Sequence, residues 1–193
     1  MKKLFLAAML VMASVAMVMA QPRAIGARLG CGAEFSYEHQ LGQNMLSVDA
    51  GFLVGPSDTF MPGVEGVVTY DWINPFGTSV PWSKRGEWNW YMGVGAGAGA
   101  FFSVNTIRGP QNEVVERDIN NNIFVGVAGR IGIEYDFWFP LQLSLDWRPL
   151  VGPGINFYTN EVGGVSQSSS THIYYNTAGL VVGGIALGIR YKF

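Results

Sequence analysis

The chain has 193 residues, 12 basic and 14 acidic side chains, a formal net charge of −2, 26 glycines and a single cysteine. With only 13% charged residues and no basic excess it carries no footprint for nucleic acid. One cysteine excludes an internal disulfide framework, no Cys/His cluster suggests a metal site, and no cofactor motif is present. Mean hydropathy is +0.21, which fits a chain of half-polar strands better than a bundle of apolar helices.

The first element in chain order is a secretory signal peptide over Met1–Ala20. Lys2 and Lys3 form its basic start, Leu4 to Val18 its apolar run, and Val18-Met19-Ala20 its cleavage region before Gln21. The apolar run is short for a spanning helix, which needs about 20 apolar residues. Residues 21–193 then read as one domain.

Eight strands are predicted in that domain. Ala24–Leu29 and Ala33–His39 form either a hairpin across Gly30-Cys31-Gly32 or one bent strand. Asn44–Val54, Gly63–Ile73, Glu87–Phe102, Ile123–Phe137, Leu141–Leu150 and Gly179–Phe193 follow. Strict period-2 alternation identifies them. In the last strand Ile185, Leu187, Ile189, Tyr191 and Phe193 share one face, and Gly184, Ala186, Gly188, Arg190 and Lys192 the other.

Charge parity sets the fold class. Arg130, Glu134 and Asp136 share a face opposite Val125, Val127, Ile131, Ile133, Tyr135 and Phe137. Asp146 and Arg148 oppose Leu141, Leu143, Leu145 and Trp147; Glu65 and Asp71 oppose Val64, Val68, Tyr70 and Trp72. No charge falls on the apolar faces. Lipid enforces this rule, because an Arg or Lys on the lipid face at the midplane costs roughly 2–4 kcal/mol. A soluble sandwich or lipocalin-like barrel inverts it, with the apolar face inward and charges scattered outside. The expected fold is an all-β, eight-stranded antiparallel transmembrane barrel with both ends on the periplasmic side.

That topology assigns the loops. Val151–Ala178 and Ser103–Asn122 are the long outer loops and Pro56–Pro62 a shorter one. Gly42–Gln43 and Trp138-Phe139-Pro140 are periplasmic turns, as is Asn74–Gly86, which is longer than such turns usually are. Tyr37, Tyr70, Trp72, Trp88, Trp90, Tyr135, Phe137, Tyr191 and Phe193 then fall at the periplasmic ends of outward faces, an aromatic girdle. Phe52, Phe102 and Trp147 make a thinner upper girdle.

The interior of eight strands is just wide enough to be filled by side chains. Arg28, Glu34, Asp49, Glu65, Asp71, Glu87, Arg130, Glu134, Asp136, Asp146, Arg148, Arg190 and Lys192 point into it. Paired, they plug it with a salt-bridge network; unpaired, their modest excess of acid makes a narrow cation-preferring pore. Gly93, Gly95, Gly97 and Gly99 form an inward row that leaves room for a bulky partner such as Arg130 or Arg148, or allows sharp curvature. A lipid-modifying enzyme would need His39 or His172 beside a nucleophile. His172 lies in a Ser-rich stretch, Ser168-Ser169-Ser170-Thr171, that reads as a solvated loop, so no catalytic residue is nominated.

The segments Ala24–Gly30, Trp88–Gly95, Gly132–Tyr135, Leu143–Pro149 and Ile189–Phe193 resemble a family of small, mostly uncharacterised Gram-negative outer-membrane β-barrel proteins, similar in plan to OmpA-like and OmpX-like barrels. The resemblance runs over the whole of residues 21–193. It implies a location in the cell outer membrane, contact with outer-membrane lipid, and a monomer. It also implies that the aromatic C-terminal strand, with Tyr191 and Phe193, is part of the signal read by the barrel assembly machinery. Members of this plan serve as structural anchors, adhesion or defence proteins and occasionally narrow channels; unlike the OmpA type, no C-terminal peptidoglycan-binding domain is expected. The function expected is therefore structural, or surface interaction through the outer loops.

Overall fold

The computed structural model describes residues 22–54, 62–77, 85–109, 114–176 and 184–193. The signal peptide expected at Met1–Ala20, positions 56–61 of the first outer loop and positions 179–183 of the last expected strand lie outside the described residues. The strands are β1 (Pro22–Leu29), β2 (Gly32–Leu41), β3 (Asn44–Val54), β4 (Pro62–Pro75), β5 (Gly86–Arg108), β6 (Val114–Phe137), β7 (Leu141–Trp147), β8 (Leu150–Val162), β9 (Val165–Asn176) and β10 (Ile185–Lys192).

All ten belong to one antiparallel sheet, in the order β5-β4-β3-β2-β1-β10-β7-β6-β8-β9. A further pairing of β5 with β6 brings the first eight of that order round into a ring and leaves β8 and β9 outside it. The two first segments are a hairpin, with Leu29 opposite Ala33. The last strand closes on the first, Ala24 opposite Lys192 and Leu29 opposite Leu187.

Two corrections concern the outer segments. Ser103–Asn122 and Val151–Ala178 were expected to be loops. Instead β5 and β6 stay paired from Gly86/Phe137 as far as Arg108/Val114, and β8 and β9 form a hairpin around Gly163-Gly164, both with positive φ. β8 pairs with β6 from Ala128/Leu150 up to Glu116/Val162. A four-stranded sheet, β5-β6-β8-β9, thus rises beyond one side of the ring. Its rungs are polar but make cross-strand bonds: Asn156 Nδ2 to Asn120 Oδ1 at 2.9 Å, Tyr158 O–H to Asp118 Oδ1 at 2.7 Å, Asn160 Nδ2 to Glu116 Oε1 at 2.7 Å. Such pairs hold strands together without an apolar face.

The seventh expected strand, Leu141–Leu150, is β7 continuing into β8. The register does not change across the break: Trp147 faces Ile131 and Leu150 faces Ala128. The interruption is chemical, since Pro149 has no N–H to give to the ladder. The Pro149 carbonyl still accepts from Gly129 N–H at 3.0 Å.

The ring is turned inside out relative to a soluble core. Its outward face exposes Phe35, Phe52, Val64, Met92, Val94, Val125, Ile131, Leu145, Leu187 and Ile189, while the described outward positions between Ile25 and Leu41, Leu46 and Phe52, Val64 and Trp72, Trp88 and Phe102, and Ile123 and Phe137 carry no carboxylate, ammonium or guanidinium. Its inward face buries Arg28, Glu34, Asp49, Asp71, Arg130, Glu134, Asp146, Arg148 and Arg190, each at most 4% exposed. At the end carrying the Gly42 and Trp138–Pro140 turns, the aromatic residues pack against one another on the outside, mostly edge to face. Ring centroids are 5.4 Å apart for Tyr70–Trp72, 4.9 Å for Trp88–Tyr135, 4.6 Å for Tyr135–Phe137 and 5.2 Å for Tyr191–Phe193. Trp90 sits in the same row, opposite Asn74 and Ile133. Phe139 of the turn joins it, 5.0 Å from Phe137, and Trp138 lies 5.4 Å from Phe139.

Candidate functional site: a buried charge network inside the ring

The interior is built in layers. Nearest the aromatic end, Arg23 reaches Glu38 at 2.7 Å and Asp136 at 3.8 Å and also pairs with Glu134. Lys192 closes this layer on Asp136 at 2.8 Å. Arg190 spans the ring above it, donating from Nε to Ser36 at 2.9 Å and from a terminal nitrogen to Ser144 at 2.7 Å, with Glu38 at 3.3 Å. In the middle, Arg130 contacts Asp146 at 3.2 Å, Asp71 at 3.4 Å and Asp49 at 3.9 Å. Its guanidinium lies 5.0 Å from the centre of the Tyr91 ring, a cation–π distance, and Tyr91 O–H donates to Asp146 at 3.1 Å. Ser47 and Thr69 donate to the same oxygen of Asp71, at 2.7 and 2.8 Å.

The layer toward the β8–β9 end is the most highly connected. Arg28 holds Glu34 at 2.6 Å and Asp146 at 2.8 Å. Arg148, delivered by the break between β7 and β8, touches three carboxylates: Glu34 at 2.6 Å, Asp49 at 2.8 Å and Glu65 at 2.6 Å. Val67, Phe124, Ala128 and Leu150 form an apolar cluster beside it, with Phe101 packed against them. Buried charges are tolerated when they are paired and hydrogen-bonded, and each of these arginines has at least one carboxylate partner and a further polar contact.

Twelve interior residues expected from parity therefore meet in one network: Arg28, Glu34, Asp49, Glu65, Asp71, Arg130, Glu134, Asp136, Asp146, Arg148, Arg190 and, at the rim, Lys192. Glu87 does not join it. It is exposed at the ring's end, where it lines a concavity with Arg85, Asp136 and Lys192; the first inward position of a strand lies at the mouth, not in the interior. Two members were not among the expected residues. Glu38 is on the same face as Glu34 and Ser36 and was legible. Arg23 was not, because by alternation it points outward; a register shift between Pro22 and Ala24 re-aims it, as bulges do.

The glycine row needs a different reason from the one expected. A Cβ on Gly93 would lie 2.0 Å from Asp71 Oδ1, and one on Gly99 2.4 Å from the Phe124 ring. The space serves Asp71 and Phe124, not Arg130 or Arg148. The histidines are far apart in role. His39 is buried, its Nδ1 3.2 Å from the Tyr37 hydroxyl. His172 is an exposed residue of β9 opposite Asn156, with no hydrogen bond to a serine among the described residues. Cys31 is exposed at the β1–β2 turn. Among the described residues no group of three or more His, Cys, Asp or Glu is placed to hold a metal ion.

No protein-family model, no curated protein and no solved structure matches this chain.

Proposed function

We propose that this protein is an integral outer-membrane β-barrel of eight spanning strands. In this reading Met1–Ala20 exports the chain, Tyr191 and Phe193 belong to the signal read by the assembly machinery, and the protein is a monomer in the outer membrane of a Gram-negative bacterium. The interior is plugged by the arginine–carboxylate network. Function lies at the surface, structural or adhesive, through the sheet β5-β6-β8-β9 rather than through irregular loops.

The observation that carries the reading is the inversion of the ring. Fourteen charged groups turn inward, Arg23, Glu38 and the twelve predicted residues, while the outward face is a continuous apolar surface. In water that distribution exposes what burial should remove; in lipid it is the favourable one. Dimensions agree. The 11 residues of β3 span about 33 Å, or about 25 Å of height at a tilt of ~40°, the height of an outer-membrane apolar band. The aromatic row then lies at one interface, where amphipathic rings prefer to sit.

A cation-preferring pore is the second reading, favoured by the acid excess: eight interior carboxylates face five guanidiniums, with Lys192 at the rim. The plug is preferred because the carboxylates are engaged by arginines. Membrane fractionation, heat-modifiable gel mobility and planar-bilayer conductance of the refolded protein test both. Membrane association, a heat-dependent mobility shift and electrical silence are expected. Steady cation-selective openings, lost in Glu134→Gln/Asp136→Asn, would replace the plug with the pore. Recovery in the aqueous fraction would overturn the membrane reading.

A further inference from the structure

The inward face of the sheet that rises above the ring carries a second site. Three rungs across β6, β8 and β9 define it: Phe124–Gly154–Tyr174, Asn122–Asn156–His172 and Asn120–Tyr158–Ser170. Asn122, Asn156, Tyr158, Ser170, His172 and Tyr174 line an open concavity of about 520 Å³, within the range of small-molecule sites. From the geometry we infer that this concavity binds a neutral oligosaccharide.

The lining is built rather than incidental. Gly154 has no side chain, and the Tyr174 ring lies across it; a Cβ there would be 2.5 Å from Tyr174 Cζ. The ring is thereby laid against the sheet, as a platform needs to be. The Tyr158 ring is fixed by its hydroxyl on Asp118 Oδ1 at 2.7 Å, and Asn156 by its amide on Asn120 at 2.9 Å, which leaves the Asn156 carbonyl as an acceptor. Among the described residues the side chains of Asn122, Ser170, His172 and Tyr174 make no hydrogen bond, so their donors and acceptors are available.

The chemistry selects the ligand class. No guanidinium, ammonium or carboxylate lines the concavity, so an anion finds no counter-charge. The nearest carboxylates among the described residues, Asp118 and Glu116, lie outside the lining and accept hydrogen bonds from Tyr158 and Asn160, so a cation finds no carboxylate in the concavity itself. An acyl chain would leave most of its length in water, because the concavity is open rather than enclosed, and so would gain little from burial. A pyranose presents an apolar face to an aromatic ring and hydroxyls to amides, matching both halves of the surface. The concavity holds a short run of such rings. The assignment rests on the proposed outer-membrane reading only for the side of the membrane from which the ligand arrives.

The test is binding of fluorescent neutral gluco-, galacto- and manno-oligosaccharides to the protein refolded in an amine-oxide detergent, whose headgroup carries no sugar. Uronate oligosaccharides serve as the charged comparison. At least one neutral series is expected to bind, and Tyr174→Ala or Asn156→Ala should weaken it by about tenfold or more. Thr171→Ala, on the opposite face of β9 against Phe157, should leave it unchanged. No neutral binding at about 10 mM, binding of uronates alone, or binding indifferent to Tyr174 and Asn156 would overturn the assignment. Heat-modifiable mobility, recorded for every variant, separates these outcomes from failure of the fold or of the membrane reading.

Discussion

Replacing Arg148 with methionine removes a charge held by three carboxylates at close range while keeping a side chain of similar length. Arg148 is 4% exposed and touches Glu34, Asp49 and Glu65, all within 2.8 Å. Glu34 keeps Arg28 at 2.6 Å, and Asp49 keeps Arg130 at 3.9 Å. Glu65 has no other ion pair among the described residues. Removing one partner of a buried pair costs about 3–5 kcal/mol, chiefly because a charge is left without compensation. At about 1.4 kcal/mol per factor of ten, the folding equilibrium should fall roughly 100- to 4,000-fold. Urea titration in detergent or lipid vesicles, followed by gel mobility and by fluorescence of the six tryptophans, measures it. Adding Glu65→Gln to the Arg148→Met variant should restore part of the loss, a coupling of about 0.5–3 kcal/mol. A loss below about 1 kcal/mol, with no coupling to Glu65, would mean that these charges are hydrated. The plugged interior would then be wrong.

Three further outcomes are expected. Val127→Arg, at a position 68% exposed on the outward face of β6, should cost roughly 2–4 kcal/mol in lipid vesicles; an unchanged urea midpoint would mean that this face meets water. Gly93→Ala should destabilise by about 1–3 kcal/mol, since its Cβ meets Asp71 Oδ1 at 2.0 Å and the Tyr70 carbonyl at 2.5 Å, whereas Gly66→Ala, with nothing within 4 Å, should shift the midpoint little; equal effects would refute the packing account. In the outer sheet, hydrogen bonds from Tyr158 and Asn160 hold the Asp118 carboxyl below its ordinary value. A depressed folded value means that its contribution is present above about pH 4, the ordinary carboxylate range, and is lost as pH falls through the folded value. Hydrogen exchange should show β8 loosening relative to the ring on acidification, and Asp118→Asn should remove that dependence.

Alternation alone determined which face of each strand meets which surroundings, because side chains on a strand point to opposite sides by backbone geometry. Glu134 and Asp136 against Tyr135 and Phe137, or Arg190 against Ile189 and Tyr191, could be assigned residue by residue without a structure. β3 was legible to its last residue, bounded by the Gly42 turn and ending at Val54. What alternation could not contain is what depends on neighbours distant in the chain. Arg23 turns inward because β1 slips against β2. Gly93 and Gly99 are small because Asp71 and Phe124, brought there by other strands, occupy their space. The polar segments 103–122 and 151–176 looked like loops because polar composition and solvated loops share a signature. They are strands because Asn120, Asn156, Tyr158 and Asn160 find partners across the ladder. The ion pairs follow the same rule: the sequence places the charges on one face, and closure of the ring, which sets Arg148 between Glu34, Asp49 and Glu65, decides which of them touch.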